Sequence, residues 1–392
     1  MNFSSFLHYL DRHIVTKQPV SRQIIRFQNR KEFQSCLRQL KKLKPSLSKL
    51  SHVQPIGIIH AISCPIQSSK NIMKHPAIRF IEKDTKIKMH SPTTFNPVHV
   101  PTDELTPSIP WGVKEIKAPQ VWKFTKGDGI KVSVIDTGVD FNHPDLKEQL
   151  QRGFNFIYPH MPPWDDNGHG THIAGTIAAS NEENGIVGAA PKALLHPIKA
   201  FDHRGTAYSS DIIQAIEWSI RNQMDIINMS FGMSNRSQSL LDAIKQANDL
   251  GIITVASSGN DGKKETIDYP ARFTPTISVG ASSSKKRLAS FSNRGKNIDI
   301  YAPGEKIFST WPNRKYVELN GTSMATSHVS GIIALMLSIN RDLSPVKIKT
   351  ILKKTGTPLG STNKKMIAKE INAVKALRYV KKLKLTNHKS KK

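Results

Sequence analysis

The sequence predicts an α/β protein with a mainly parallel β-sheet, preceded by a small α+β domain. After residue 106, short apolar runs rich in β-branched residues, such as Val132–Ile135, alternate with longer segments of helical spacing, such as Ser210–Arg221. Strands that alternate with helices form parallel sheets. The chain has 392 residues, of which 38% are hydrophobic, so it is long enough for two or three units.

The elements of the larger domain follow from these patterns. Buried strands are predicted at Val132–Ile135, Leu194–Ile198, Ile226–Met229, Ile252–Ala256 and Thr276–Val279, and helices at Ser210–Arg221 and Ser239–Leu250. In parallel sheets of this kind, functional side chains gather where strands end and helices begin.

Residues 1–90 read as a separate small domain. Arg22–Phe27 alternates like a strand, Lys31–Leu43 has helical spacing, and Ile56–Ile62 and Ile78–Asp84 are again strand-like, with a short helix near Ser68–Lys74. Residues 91–106 contain several prolines and are predicted to be an exposed linker. The remaining predicted boundaries are 107–380 for the main domain and 381–392 for a basic tail.

The formal net charge of +27 raises the possibility of nucleic-acid binding. Residues 107–340 carry 24 Lys and Arg against 22 Asp and Glu, so the excess of positive charge lies at the two ends of the chain. A basic tail of this kind is usually solvated, and no basic-aromatic motif accompanies it. We therefore expect no specific nucleic-acid partner.

Membrane and export signals are also absent from the sequence pattern. No uninterrupted apolar run reaches the roughly 18 residues of a membrane span. Residues 1–20 are interrupted by charges and show no apolar leader, which favours a cytoplasmic protein over an unusual export route. Cys36 and Cys64 both lie in the first quarter, so a fold stapled by disulfides is not supported.

The motif around Ser323 is the most informative for function. Gly321 is expected to let the chain turn tightly, and Ser323 then stands at the start of the apolar helix predicted from Val329 to Leu337. A serine there is either a helix cap or a nucleophile. A nucleophilic serine needs a general base, and the base needs an orienting carboxylate.

Both partners occur upstream. The strand Val132–Ile135 ends in Asp136, and His169 stands between two glycines at the start of another helix of small residues. Each has an ordinary structural explanation alone. Their order together with Ser323 resembles the three catalytic motifs of the subtilisin-like serine peptidases over residues 105–380.

The resemblance implies a serine endopeptidase with a subtilisin-like three-layer fold. It implies Ser323 as the nucleophile, His169 as the general base and Asp136 as the residue that orients His169, with an acyl-enzyme intermediate. Asn260 matches the asparagine that stabilises the oxyanion. Ser327 stands where the family usually has proline, and serine is able to cap a helix there, so we expect only a small loss of rigidity.

The resemblance also implies the substrate site and the role of the N-terminal domain. An extended peptide would add to two edge segments and place one side chain in a pocket. The implied substrate-binding residues are Gly205, Thr206, Ala207, Ser230, Phe231, Gly232, Ser257, Ser258, Gly259, Asp261 and Asp268. Two acidic residues in the pocket would favour cleavage after Lys or Arg. Residues 1–90 resemble the family's propeptide, an intramolecular inhibitor. We expect its removal by self-cleavage within about Lys88–Thr106, with the join near His90 as the favoured site.

Calcium is the cofactor that the resemblance implies. The predicted ligands are the side chains of Asp145 and Glu182 and the carbonyl oxygens of Ser180, Asn184 and Ile186. Glu182 replaces a residue that is often an amide, and the alternative is an ordinary acidic surface loop. The competing functions for the whole chain are a non-catalytic binding module with a peptidase fold and a basic protein associated with nucleic acid.

Overall fold

The structure is a computed structural model that describes residues 2–16, 21–66, 72–90, 95–98, 108–360 and 368–389. The chain forms two units. The first comprises Met1–Lys86 together with Tyr208–Trp218 and Ser237–Gln246, and the second comprises the remaining segments from Ile87 onward.

The N-terminal part of the first unit is an antiparallel sheet with two helices. The helices are α1 (Phe3–His13) and α2 (Arg30–Leu43), and the strands are β1 (Arg22–Phe27), β2 (Gln54–Ile56), β3 (Ala61–Pro65) and β4 (Ile78–Lys83). The strand order is β2-β3-β1-β4. This confirms the α+β prediction for this part of the chain.

One local prediction in this unit was wrong, and one helix was not predicted. Ile56–Ile62 is not one strand, because a turn in which His60 has a φ of 50° separates β2 from β3. Helix α1 was not predicted; Asn2 caps it through the backbone N–H of Ser5, and Phe6, Leu7 and Leu10 are buried. Most of the predicted helix at Ser68–Lys74 lies outside the described residues. Cys36 and Cys64 are buried free thiols.

The other strands and helices lie between Lys86 and Lys389. The strands are β5 (Lys86–Met89), β6 (Phe95–Val98), β7 (Lys131–Asp136), β8 (Phe154–Asn155), β9 (Leu194–Lys199), β10 (Thr206–Tyr208), β11 (Ile226–Met229), β12 (Phe231–Gly232), β13 (Ile253–Ser257), β14 (Ile277–Ser282), β15 (Ile300–Pro303), β16 (Ile307–Trp311), β17 (Lys315–Leu319), β18 (Thr357–Pro358) and β19 (Lys369–Glu370). The helices are α3 (Trp111–Glu115), α4 (His169–Ala178), α5 (Ser209–Arg221), α6 (Gln238–Asp249), α7 (Thr322–Ile339), α8 (Pro345–Thr355) and α9 (Ala373–Lys389).

Two acidic residues, Glu82 in β4 and Asp84 just after it, cap helices within the first unit. Glu82 accepts hydrogen bonds from the Ser237 hydroxyl at 2.7 Å and from the Gln238 N–H at 3.1 Å, where α6 begins. Asp84 accepts from the hydroxyl of Ser209 and the N–H of Ser210, each at 2.9 Å, at the start of α5. Free N–H groups and the helix dipole both favour a carboxylate at these positions.

The main sheet of the second unit is mainly parallel, as predicted. Among the described residues it has nine strands in the order β18-β19-β15-β14-β13-β11-β7-β9-β8, and only β18 and β19 pair antiparallel. The five predicted strands are β7, β9, β11, β13 and β14, each within a few residues of its predicted bounds. Because β7 is a central strand, Asp136 at its carboxyl end is buried.

Helix α7 runs through the core of this unit and packs against α4 and the central strands. By length and composition alone it is apolar enough to cross a membrane, although the sequence analysis found no such run; 89% of it is buried inside the structure. Its serine, threonine and histidine residues interrupt the apolar run without adding charge. The burial identifies it as a core helix, and Ser323 lies in its first turn.

The predicted linker and tail contain regular structure where they are described. Strand β6, inside residues 91–106, pairs antiparallel with β17; the rest of that linker lies outside the described residues. Lys381–Lys389, the start of the predicted basic tail, continues α9. The boundaries at residues 90, 106 and 380 stay predictions.

Candidate active site

Asp136 and His169 form a hydrogen-bonded pair. His169 Nδ1 lies 2.8 Å from Asp136 Oδ1 and 3.0 Å from Oδ2, and both side chains are buried. Asp136 Oδ1 also accepts the backbone N–H of Thr137 at 2.8 Å. Since a carboxylate only accepts, Nδ1 carries the hydrogen and Nε2 of a neutral His169 has the lone pair.

Asp165 joins the two elements that carry this pair. Its carboxylate accepts the hydroxyl of Thr137 at 2.8 Å, the N–H of Gly168 at 2.8 Å and the N–H of Thr171 at 2.9 Å. It therefore ties the residue after Asp136 to the first turn of α4. Asp165 was not predicted, because it stands four residues before α4 begins, outside the cap position that Gly168 occupies.

Ser323 lies in the first turn of α7 with its side chain buried. Its hydroxyl donates to the carbonyl oxygen of Ser230 at 3.0 Å. His169 Nε2 makes no hydrogen bond with any residue that the structure describes. The first N–H groups of α7 have no partner within the helix, and that of Thr322 donates to the Asn260 side chain instead.

The side chain of Asn260 is held in one orientation. Its Oδ1 accepts the N–H of Thr322 at 2.9 Å and the hydroxyl of Thr322 at 2.8 Å. The amide nitrogen is consequently directed away from Thr322, since the oxygen end is occupied. The chain bends at Gly321, the residue before α7; its φ is 169°, an extended conformation, and a Cβ there would approach Asn260 Nδ2 at 3.3 Å.

Two further histidines near this region stay neutral. Burial lowers the pKa of His172 to about 3 and that of His328 to about 4. His172 Nε2 donates to the carbonyl oxygens of Ile307 at 3.0 Å and Val317 at 3.1 Å, so it has a structural role. Ser327 does not cap α7 as expected; its hydroxyl donates to the carbonyl oxygen of Ser323 at 3.0 Å within the helix.

The predicted edge segments pair with a segment of this same chain. Phe231 and Gly232 pair with Met89 and Lys88, and the N–H of Met89 donates to the carbonyl oxygen of Gly205 at 2.9 Å. Thr206 and Ala207 belong to β10, and Ser230 precedes β12. The residues Ile87–His90 thus occupy the place in which an extended peptide would add to both edges.

His90 lies in the predicted pocket. Its Nε2 is 2.9 Å from Asp268 Oδ2, and its Nδ1 is 2.9 Å from the Ser257 hydroxyl. The structure therefore brings Ser257 and Asp268 together, with Gly232 and Gly259 close to the same groups. From the sequence, His90 was expected to lie near the cleavage point, and its position in the pocket was not predicted.

Two of the predicted pocket residues have other contacts. Asp261 pairs with Lys263 at 3.0 Å, and both side chains are exposed. The Ser258 hydroxyl is buried and donates to the carbonyl oxygen of Asn293 at 3.5 Å. The acidic character of the pocket therefore depends on Asp268.

The predicted calcium ligands lie in one loop and against it. Asp145 is buried and accepts hydrogen bonds at 2.9 Å from the amide of Asn181, the N–H of Ile186 and the hydroxyl of Tyr316. Glu182 is exposed and pairs with Lys126 at 2.5 Å. In the part of the chain that the structure describes, no three His, Cys, Asp or Glu side chains cluster as metal ligands.

Comparison with known proteins decides the family. Residues 127–371 match the model of the subtilase family. The chain belongs to the subtilase family. It is 41% identical to an alkaline protease of Alkalihalobacillus alcalophilus over 289 residues, which are 74% of this chain and 71% of that protein. It is 40% identical to subtilisin E of Bacillus subtilis over 299 residues, covering 75% and 74% of the two chains.

A third relative is Subtilisin Savinase of Lederbergia lenta, 43% identical over 257 residues, which cover 65% of this chain and 94% of that protein. This subtilase is a serine-type endopeptidase. The predicted preference for the cytoplasm is wrong, because the subtilisins that it resembles are secreted. Subtilisins are generally calcium-binding proteins.

Proposed function

We propose that this subtilase hydrolyses peptide bonds through Asp136, His169 and Ser323, and that it is processed from a precursor by its own activity. The observation that carries the proposal is the buried Asp136–His169 pair, in which Nδ1 is bonded and Nε2 has no hydrogen-bond partner among the described residues. A base in this state is ready to accept a proton from a serine hydroxyl.

In the first half of the reaction, the Ser323 hydroxyl turns from the Ser230 carbonyl toward His169 and attacks the substrate carbonyl carbon. Nε2 takes the hydroxyl proton and then donates it to the leaving amine, which gives an acyl-enzyme. Water hydrolyses that ester by the same route. Asp136 stays ionised, fixes the Nδ1–H tautomer and stabilises the imidazolium.

The tetrahedral intermediate places negative charge on the former carbonyl oxygen. The Asn260 amide is held by Thr322 at its oxygen end, which directs its nitrogen end away from Thr322, and an amide N–H is a suitable donor to that charge. The dipole at the start of α7 acts in the same direction. We therefore assign Asn260 to the oxyanion site.

Residues 1–90 act as the propeptide and inhibitor in this proposal. Support comes from the pairing of Met89 and Lys88 with Phe231 and Gly232, since this segment lies where a substrate strand would bind. Self-cleavage after His90 would leave residues up to His90 as a bound product. Protein and peptide substrates would then compete with it for the same edges.

Calcium fits the loop near Asp145, and we propose it as a structural ion. The loop passes so close to the buried carboxylate that a Cβ at Gly185 would lie 2.3 Å from Asp145 Oδ1, and all the predicted ligands are oxygens. The carboxylate of Glu182 already pairs with a cation, the ammonium group of Lys126. Asp145, Glu182 and the carbonyls of Ser180, Asn184 and Ile186 would hold the ion, which would stabilise the loop.

A fluorophosphonate probe tests the proposal directly, because it reacts only with an activated serine. We expect stoichiometric labelling of the wild-type protein and none of Ser323→Ala, with intact mass showing cleavage after His90 only in the wild type. Folded wild-type protein that stays unlabelled would contradict the proposal and favour a non-catalytic binding module.

A further inference from the structure

The imidazole of His90 fills the specificity pocket closely. Its side chain is 9% exposed and is bonded at both nitrogens. A Cβ at Gly232 would lie 2.3 Å from His90 Nε2, so a larger residue at that position would displace the ring. The pocket therefore matches a flat ring with a polar atom at its far end.

We propose that this pocket selects histidine as the residue before the cleaved bond, and that Asp268 is the residue that determines this specificity. The inference rests on the proposed function, since it concerns the substrate of that same site. Asp268 Oδ2 is within hydrogen-bond distance of one imidazole nitrogen, and the Ser257 hydroxyl is within hydrogen-bond distance of the other. Both polar positions of the ring are thus satisfied at once.

Other side chains satisfy the pocket less well. A large apolar side chain would bury Asp268 without a partner, and an unpaired buried carboxylate is costly. Lysine and arginine are longer than histidine and would have to bend to meet a carboxylate at the distance of Nε2. Asp261, the other acid predicted for the pocket, is exposed and pairs with Lys263 at 3.0 Å.

The preference for histidine depends on its charge. Neutral imidazole donates from Nε2 to Asp268 and accepts at Nδ1 from the Ser257 hydroxyl, whereas imidazolium donates to both. Among the described residues, the charged groups that we find here are Asp268 and, interacting with it, Lys263 with its partner Asp261, whereas Ser257 is neutral. A charge-assisted bond to Asp268 is the stronger one, and histidine in solution gains its charge below a pH of about 6.5.

The test uses the processed enzyme and a set of peptides that differ only in the residue before the cleaved bond: His, Lys, Arg and Phe. At pH 5.5 we expect kcat/KM to be higher for the His peptide than for the other three peptides. It should be at least about tenfold above that of the Phe peptide, which is a difference of about 1.4 kcal/mol in activation free energy. The His-to-Phe ratio should fall as the pH rises through about 6.5.

Asp268→Asn removes the charge with little change in shape. It should reduce the His-to-Phe ratio at pH 5.5 about tenfold and flatten its pH dependence, while the matched variant Asp128→Asn, at an exposed acid, leaves both unchanged. A higher rate for Lys or Arg than for His, or an unchanged ratio in Asp268→Asn, would overturn the proposal.

Fluorophosphonate labelling separates this inference from the proposed function. The probe carries no side chain for the pocket, so its reaction with the wild type reports on the catalytic residues and not on the preference of the pocket. Labelled wild-type enzyme without a preference for histidine contradicts only the specificity of Asp268. Unlabelled enzyme contradicts the catalytic proposal itself.

Discussion

Thr137 donates its hydroxyl hydrogen to Asp165 at 2.8 Å, and Thr137 is the residue that follows Asp136. The same carboxylate accepts the N–H groups of Gly168 and Thr171 on either side of His169. Asp136 and His169 are 33 residues apart in the sequence, yet a single side chain fixes the backbone beside each of them. Asp165 is thus a positioning residue for the proposed catalytic pair.

Asp165→Asn should lower kcat with little change in KM. An amide in place of the carboxylate directs its NH₂ group at existing donors, so the first turn of α4 shifts and His169 moves with it. A displacement of about 1 Å costs on the order of 10²-fold in rate. Steady-state kinetics would show the loss as a fall in kcat at an almost unchanged KM.

Thr137→Val provides the coupled control. It removes the hydroxyl that donates to Asp165. The loss of kcat in the double variant should therefore be smaller than the two single losses combined. Equal kcat in wild type and Asp165→Asn, with only the unfolding temperature lowered, would show that Asp165 has no role in positioning His169.

Asn260→Ala should reduce kcat by about 10² to 10³-fold, a range known from subtilisin itself, with KM nearly unchanged. The donor acts on charge that exists only in the transition state. Asn260→Asp is the matched variant of the same shape, and it should be at least as damaging because it replaces the donor by a carboxylate. A change in KM alone would contradict the assignment of Asn260 to the oxyanion.

The central part of the fold was predictable because local patterns and long-range packing agree there. β7 and β11 are short, largely apolar runs with buried residues on both faces, which is the signature of a parallel sheet. Helix α1 and the turn at His60 were not predicted. The apolar run of Ile56–Ile62 continues through the turn at His60, so the sequence pattern gives no sign of it.

The candidate site was predictable only in its motif residues. Asp136, His169, Asn260 and Ser323 stand in recognisable sequence contexts, but the direction of a side chain is set by its neighbours in space. Asp261 is next to Asn260 in sequence and nevertheless turns to Lys263. The bonds of His90 connect residues about 170 positions apart, which no local pattern indicates.

Calcium should stabilise the inactive variant Ser323→Ala, in which self-digestion does not interfere. At 100 times the dissociation constant, an ion that binds only the native state adds about 2.7 kcal/mol to the free energy of unfolding. Thermal unfolding in calcium and in chelator measures the difference, and Asp145→Asn should remove most of it. The same unfolding temperature in both buffers would contradict the site.

Glu370 should make the free energy of unfolding depend on pH. Burial raises the pKa of its carboxyl from 4.5 to about 7, with a contribution from nearby Glu115, while the hydroxyl of Ser282 opposes the shift. The native state therefore holds a proton that the unfolded chain has already lost. The resulting stability is complete below pH 4.5 and is lost as the pH rises through 7.

A shift of this size corresponds to about 3 kcal/mol between these pH values. Glu370→Gln keeps a hydrogen-bonding side chain of similar shape that does not titrate, so the variant should lose less stability than the parent between pH 4.5 and 7. Urea unfolding of both proteins in the Ser323→Ala background measures the difference, because all other titrating groups are shared. Parallel pH curves for the two proteins would show that Glu370 is ionised in the native state at acid pH, in conflict with its burial beside Ser282.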